Sequence, residues 1–283
     1  MLQERLKALR AEMEKRGITV YVVPTADFHE SEYVGDHFKA RKFITGFPGS
    51  AGTAVITLDE AGLWTDGRYF VQAENQLKDS TVTLYRMGEE GVPTVDEFVK
   101  DRLKEGGCLG FDGRVVNGTW GGKLEKIAAE KNVSMHVTED LIDLIWEDRP
   151  ALSKQPLFIL EEKYSGKSTA DKIADLRKAM KENGADVHIL TSLYDIAWLL
   201  NIRGNDIDYV PVVLSYLVLN ETECIWFLQE EVVDDKIRAY LEENHITTKP
   251  YDAIYDYVPE IPADAVVLMN RGTVNYRIVN SLD

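Results

Sequence analysis

Apolar residues at helical spacing open the chain: Leu2, Leu6, Leu9 and Met13 share one face, Gly17 stops the helix, and Ile18 to Val23 reads as a short β-branched strand. The same order of signals returns in the second half. Ile173, Leu176 and Met180 form the stripe, Gly184 the stop and Val187 to Leu190 the strand, so that Leu9/Leu176, Arg10/Arg177, Met13/Met180 and Gly17/Gly184 align at one constant offset. Both copies are followed by a similar series of elements, which predicts a duplicated α/β domain.

In the first copy, strands are expected at Ala54 to Leu58, Gly62 to Thr65, Thr81 to Arg86, Cys108 to Phe111 and Val133 to Val137. Helices are expected near Thr94 to Lys104, Thr119 to Lys131 and Thr138 to Glu147, and Pro150 and Pro156 close the domain. The second copy predicts helices from a Ser168 cap, near Tyr194 to Leu200 and around Val232 to Glu243. Its strands fall at Val212 to Leu219, Cys224 to Leu228 and Ala265 to Met269. The expected domains are thus 1–150 and 151–283. The final run, VNYRIVNSLD, reads as a helix just begun, so truncation of the second domain is expected.

With 283 residues, 45% of them apolar, the chain can fill two cores. Its net charge of −16 repels phosphate backbones and anionic headgroups, which argues against nucleic acid or membrane partners. Two cysteines, Cys108 and Cys224, are too few for a disulfide framework and fit a reducing compartment. The charged amphipathic N-terminus has no apolar leader core, and a cytoplasmic protein is expected.

Turn chemistry is densest at residues 43–74, where Gly46, Gly49 and Gly52 punctuate a tight bend. Asp66 is placed to cap a helix starting near Arg68. A cation there gains nothing from the helix dipole, so Arg68 either meets an anionic partner or pairs with a nearby carboxylate. Two polar clusters also stand out: His29 to Tyr33, directly after a strand, and Asn201 to Asp206, where Arg203 beside Gly204 suits a carboxylate or an opposing domain, or pairs with Asp206 or Asp208. Zinc, P-loop, esterase-elbow and dinucleotide motifs do not occur. The five histidines are scattered, and no catalytic or metal-binding residue is assigned.

Several runs together resemble the N-terminal part of cytosolic, three-domain Xaa-Pro aminopeptidases of the creatinase/prolidase group. They are His29-x-Ser31-Glu32-Tyr33, Phe43-x-x-Gly46-Phe47-x-Gly49-Ser50-Ala51-Gly52-Thr53-Ala54, Trp64-Thr65-Asp66-Gly67-Arg68-Tyr69-Phe70, Leu141-Ile142-Asp143-x-Ile145-Trp146-x-Asp148-Arg149-Pro150, Ala197-Trp198-Leu199-x-Asn201-x-Arg203-Gly204-x-Asp206 and Pro211-Val212-x-x-Ser215-Tyr216. The resemblance covers the whole chain in order. It implies two tandem creatinase-type N-terminal domains, each a ribonuclease-H-like mixed α/β sheet flanked by helices. It also implies a separate C-terminal catalytic domain whose two Asp, one His and two Glu hold two divalent ions, typically manganese, that activate water against the Xaa-Pro bond. None of those five positions lies in this chain. The parent is then expected to cleave peptides with proline in second position and to be a homodimer, and this segment to be inactive and monomeric. His29, Arg68, Arg203 and Asp206 are the candidate contacts to substrate or to the catalytic domain. The competing expectation is a stand-alone, non-catalytic peptide- or protein-binding module of the same fold.

Overall fold

The computed structural model describes residues 2–282 and divides the chain into two compact units. Of the described residues, one comprises 2–27 and 36–151, the other 28–35 and 152–282. The segment 28–35, which the sequence reading places with the first domain, therefore packs within the second unit.

The first unit runs α1 (Leu2–Lys15), β1 (Val20–Pro24), α2 (Ala40–Thr45), β2 (Thr53–Thr57), β3 (Ala61–Thr65), α3 (Phe70–Leu77), β4 (Thr83–Arg86), α4 (Val95–Arg102), β5 (Cys108–Phe111), α5 (Gly118–Glu130) and β6 (Ser134–His136). Its six strands lie in the order β4-β3-β2-β1-β5-β6. β2 is antiparallel to both β1 and β3, whereas β3–β4, β1–β5 and β5–β6 are parallel. The stripe read from sequence closes the core, with Leu6, Leu9 and Met13 essentially inaccessible beneath α1.

The second unit continues with β7 (Phe158–Ile159), α6 (Glu162–Ser165), α7 (Thr169–Glu182), β8 (Val187–Leu190), α8 (Leu193–Leu200), β9 (Ile202–Arg203), β10 (Ser215–Asn220), β11 (Cys224–Leu228), α9 (Asp235–Glu243), β12 (Thr247–Pro250), α10 (Ile254–Tyr257), β13 (Val267–Leu268) and α11 (Tyr276–Val279). Its main sheet has the order β12-β11-β10-β8-β13 and the same senses: β10 antiparallel to β8 and β11, with β11–β12 and β8–β13 parallel.

The repeat holds down to side-chain level. Val20 pairs with Thr57 across β1–β2 and Val187 pairs with Asn220 across β8–β10. Arg10 Nε donates to the Thr57 carbonyl at 2.9 Å, and Arg177 Nε to the Asn220 carbonyl at 3.0 Å. In each unit, then, an arginine of the first long helix, α1 or α7, ties that helix to the carbonyl at the end of the equivalent strand, β2 or β10. Both helix stops, Gly17 and Gly184, take left-handed φ values of 68° and 65°. A β-carbon there would strain the backbone.

Residues 138–147 do not form the expected helix. The Asp140 carboxylate accepts from Ile142 N at 2.9 Å and from Arg149 Nη1 at 2.6 Å, while Leu141 N donates to the Tyr21 hydroxyl at 3.0 Å. Side chains thus take the amides that would have started the helix. The segment becomes a cover that buries Leu141 and Ile142 and stacks Trp146 on Phe43 at 4.6 Å. The ninth helix starts later than its apolar pattern suggests, because the Asp234 side chain accepts from Ile237 N.

Each unit holds a histidine whose pKa lies below its ordinary 6.5, chiefly through burial: His37, which bonds the Pro150 carbonyl, and His188, which bonds the Leu268 carbonyl. The unfolded chain protonates these side chains first, so it binds more protons as pH falls below 6.5 and stability drops there. Urea midpoints are therefore expected to fall between pH 7 and pH 5, and to fall less in His188→Gln. An identical pH slope in that variant would show that His188 carries none of the effect.

Candidate functional site

The glycine-rich bend of the first unit is built from α2 outward. Gly46 ends α2 with φ 76° and its amide donates to the Lys42 carbonyl at 2.8 Å. A β-carbon on Gly49 would lie 2.2 Å from the Phe47 ring and 2.9 Å from that of Tyr69, so only glycine lets these rings meet edge to face. Arg41, just 3% exposed, donates to the carbonyls of Phe47 and Gly49 and, at 2.9 Å, to Thr25 Oγ1. Burial pushes its pKa down to about 10, still leaving it charged at neutral pH. Pattern reading places arginines at the surface, and this one was missed for that reason.

On the outer side of the bend, Tyr69 and Ser50 hydroxyls bond at 2.7 Å. The helix predicted to begin near Arg68 begins at Phe70, and its N-cap residue Tyr69 makes no side-chain cap. Asp66 instead folds back on Arg68: its Oδ1 accepts from the Arg68 amide at 3.0 Å and from Nε at 2.9 Å, and Oδ2 accepts from Nη2 at 2.8 Å. That pairing holds Asp66 below the usual carboxylate range and compensates the cation near a helix start. The Arg68 side chain remains 71% exposed. Its position is fixed while its outer face stays open.

In the second unit the cluster at 201–206 is organised by the C-terminus of α8. Asn201 takes φ 51° there, and the buried Lys172 ammonium donates to the Trp198 carbonyl at 2.7 Å and to Asn201 Oδ1 at 2.6 Å. Arg203 donates to the Ala197 carbonyl and, at 3.0 Å, to that of Ile202. Two cations thus sit on the last carbonyls of a helix, where the dipole favours them. Burial lowers the pKa of both, and Arg203 is the next cause for Lys172. Of the alternatives for Arg203, the ion pair with Asp206 or Asp208 does not form among the described residues. Asp206 faces backbone instead, accepting from Leu214 N at 2.9 Å and Gln155 N at 3.1 Å while only 8% exposed. This use of Leu214 N also explains why the strand expected from Val212 begins at Ser215.

His29 is 2% exposed within the second unit. Its Nδ1 donates to the Thr191 carbonyl at 2.9 Å, Nε2 bonds the Tyr251 hydroxyl at 2.6 Å, and its ring lies 4.5 Å from that of Tyr216. The Tyr216 and Tyr255 hydroxyls are 2.8 Å apart, and Asn275 Nδ2 donates to Tyr255 and to the Phe28 carbonyl. His29 is therefore held by partners of its own unit, and Asp206 by the backbone amides of Gln155 and Leu214. Of the four residues singled out from sequence, only Arg203, at the end of β9, and Asp206, three residues on, lie in one short segment, and Arg68 alone is largely exposed.

Among the described residues no group of three or more His, Cys, Asp or Glu side chains could hold a metal ion, so the donors present do not fit a dinuclear centre. No helix of the described residues is long and apolar enough to cross a membrane.

The doubled mixed sheet has its counterpart in known proteins. The Creatinase/Prolidase N-terminal domain pattern matches residues 5–145 and again residues 148–283, and the chain belongs to that family. Within it, the chain matches the N-terminal portion of aminopeptidase P. It is 42% identical over 255 residues to a probable Xaa-Pro aminopeptidase P of Sordaria macrospora, covering 89% of this chain and 41% of that protein. It is 35% identical over 287 residues to aminopeptidase P2 of Arabidopsis thaliana, covering 99% of this chain and 40% of the relative. The X-prolyl aminopeptidase of Caenorhabditis elegans, described as a cytosolic enzyme with a di-nuclear active site, superposes with a TM-score of 0.94 at 32% identity, over 100% of this chain and 49% of that one. The chain thus spans less than half the length of these relatives.

Proposed function

We propose that this chain is the non-catalytic N-terminal region of an Xaa-Pro aminopeptidase, a cytoplasmic, homodimeric enzyme that removes the residue preceding proline from peptide N-termini. The observation that carries the reading is full-length agreement with half of a di-nuclear enzyme, in a chain whose described residues include no metal-binding cluster. Two divalent ions, manganese in this reading, would be bound and would activate water outside this chain. What the chain contributes is shape and charge around the entrance. Arg68, held in place by Asp66 with its outer face open, is the residue suited to a substrate carboxylate or backbone carbonyl.

The test compares this polypeptide with a longer protein that contains it, using Mn²⁺ and an Arg-Pro-Pro peptide. The 283-residue chain is expected to remain monomeric and to leave the peptide intact, and the longer protein to release arginine. Arg68→Ala should leave the melting temperature of the short chain unchanged while lowering kcat/KM of the longer one about tenfold. Cleavage by the short chain would sink the non-catalytic assignment. A longer protein that binds peptides without cleaving them would identify a binding module instead.

A further inference from the structure

The first unit contains a cleft of about 360 Å³ between Thr53 at the start of β2, the loop Met87 to Pro93, the start of α4 and Trp120 near the start of α5. This volume lies at the lower end of the range for small-molecule sites. Met87, Val92, Pro93, Val95 and Trp120 supply apolar walls, and Asp96 is the one ionisable residue among those lining it. The Trp120 indole N–H donates to Asp96 Oδ1 at 2.8 Å, which fixes the carboxylate against the ring system. Trp64 Nε1 donates to the Pro93 carbonyl at 2.8 Å and Thr94 and Glu97 form a reciprocal cap, so the walls are held by packed elements. The positive end of α4 is already answered by Asp96 and Glu97 in its first turn. Glu89 and Glu90 lie on the adjoining loop, where Arg86 faces Glu89 at 3.8 Å, so the charge that the cleft itself offers is that of Asp96.

An apolar cleft with an aromatic wall, one anchored carboxylate and no lining cation has a definite preference. A carboxylate or phosphate would meet Asp96 unpaired, and a purely apolar guest would strip water from that charge without compensation. We propose that this cleft binds an organic monocation with an apolar body, an alkyl guanidinium or ammonium, with the charge beside Asp96 and the body against Trp120, Met87 and Val92. Carboxylate and indole together favour such a guest. This proposal is independent of the peptidase reading. The same chemistry could be presented by a free amine or by an arginine or lysine side chain of a peptide.

The test follows the Trp120 indole ¹⁵N–¹H resonance, assigned by its loss in Trp120→Phe, during titration of the 283-residue chain. Butylguanidinium, butylammonium and N-acetyl-arginine amide are the cations, and butylurea is the neutral isostere of the first. Saturable shifts with a cation, weakened about fivefold or more in Asp96→Asn and by added salt, are expected. The asparagine retains an oxygen for the indole N–H while removing the charge. Binding of N-acetyl-arginine amide alongside butylguanidinium assigns a peptide side chain, and binding of the small cations alone assigns a free amine. Butylurea binding as tightly as butylguanidinium, or no saturation with any cation up to about 20 mM, overturns the proposal. The urea comparison uses the unsubstituted chain, so it decides the question even if Asp96→Asn perturbs the fold.

Discussion

Arg41→Ala is expected to be among the most damaging single substitutions in the first unit, costing about 3–5 kcal/mol. The guanidinium serves three acceptors, two of them backbone carbonyls of the glycine-rich bend, from a position 3% exposed. Removing it strands those carbonyls, at about 1–3 kcal/mol for each buried group left unpaired. It also leaves a cavity where the side chain packs near Phe47. Against a total stability of roughly 5–15 kcal/mol the loss is large. Arg41→Lys should recover less than half of it, because one ammonium cannot reproduce a planar fork reaching three oxygens. Hydrogen exchange followed by mass spectrometry locates the effect: protection should fall across β1 and β2 and stay unchanged across β10 and β11. A cost below about 1 kcal/mol would mean that the bend holds its shape without the arginine.

Asp206→Ala should produce the corresponding loss in the second unit, about 2–4 kcal/mol, by orphaning the amides of Gln155 and Leu214. Burial raises the pKa of this carboxyl above 3.8 while the two amide donors oppose the shift. With its folded pKa raised, the folded chain binds more protons, so this group's contribution to stability falls as pH rises from 3.8 through the folded value. Asp206→Asn removes that titration but turns one NH₂ donor toward an amide donor. Asparagine should therefore also destabilise, by less than alanine does. Urea denaturation of the two variants at pH 7 provides the measurement. An asparagine variant as stable as the parent would mean that Asp206 is already protonated in the folded chain and that one accepted hydrogen bond suffices.

Both residues show where reading the sequence stops. The doubled sheet was legible because it is written in local, periodic signals: the Leu9/Met13 stripe, the Gly17 stop and the strand after it, repeated as Ile173/Met180, Gly184 and Val187. Side-chain period and glycine's access to left-handed φ are properties of the residues themselves, so they survive without tertiary context. The conserved order of strand pairing, including Val20 with Thr57 and Val187 with Asn220, follows from using the same series of elements twice.

Side-chain partners were not legible. Arg68 and Arg203 look alike in sequence, each an arginine adjoining a glycine and near an aspartate. Folding gives one the Asp66 carboxylate two residues away and the other the carbonyls of Ala197 in the last turn of α8 and of Ile202 in β9. His29 and Asp206 read as ligand-loop residues because polar runs after strands and helices usually face solvent. Here the chain turns them inward onto Thr191, Tyr251, Gln155 and Leu214. A polar residue's role depends on which distant donors or acceptors reach it, and separations of 162 and 222 residues between His29 and its partners leave no local trace. The sequence by itself determined the repeat, the α/β class and the family, since those rest on short-range pattern and on motif order. Which charged groups become buried supports, as Arg41 and Asp206 do, and which stay exposed, as Arg68 does, was set by the packed chain, because desolvation and hydrogen-bond geometry exist only there.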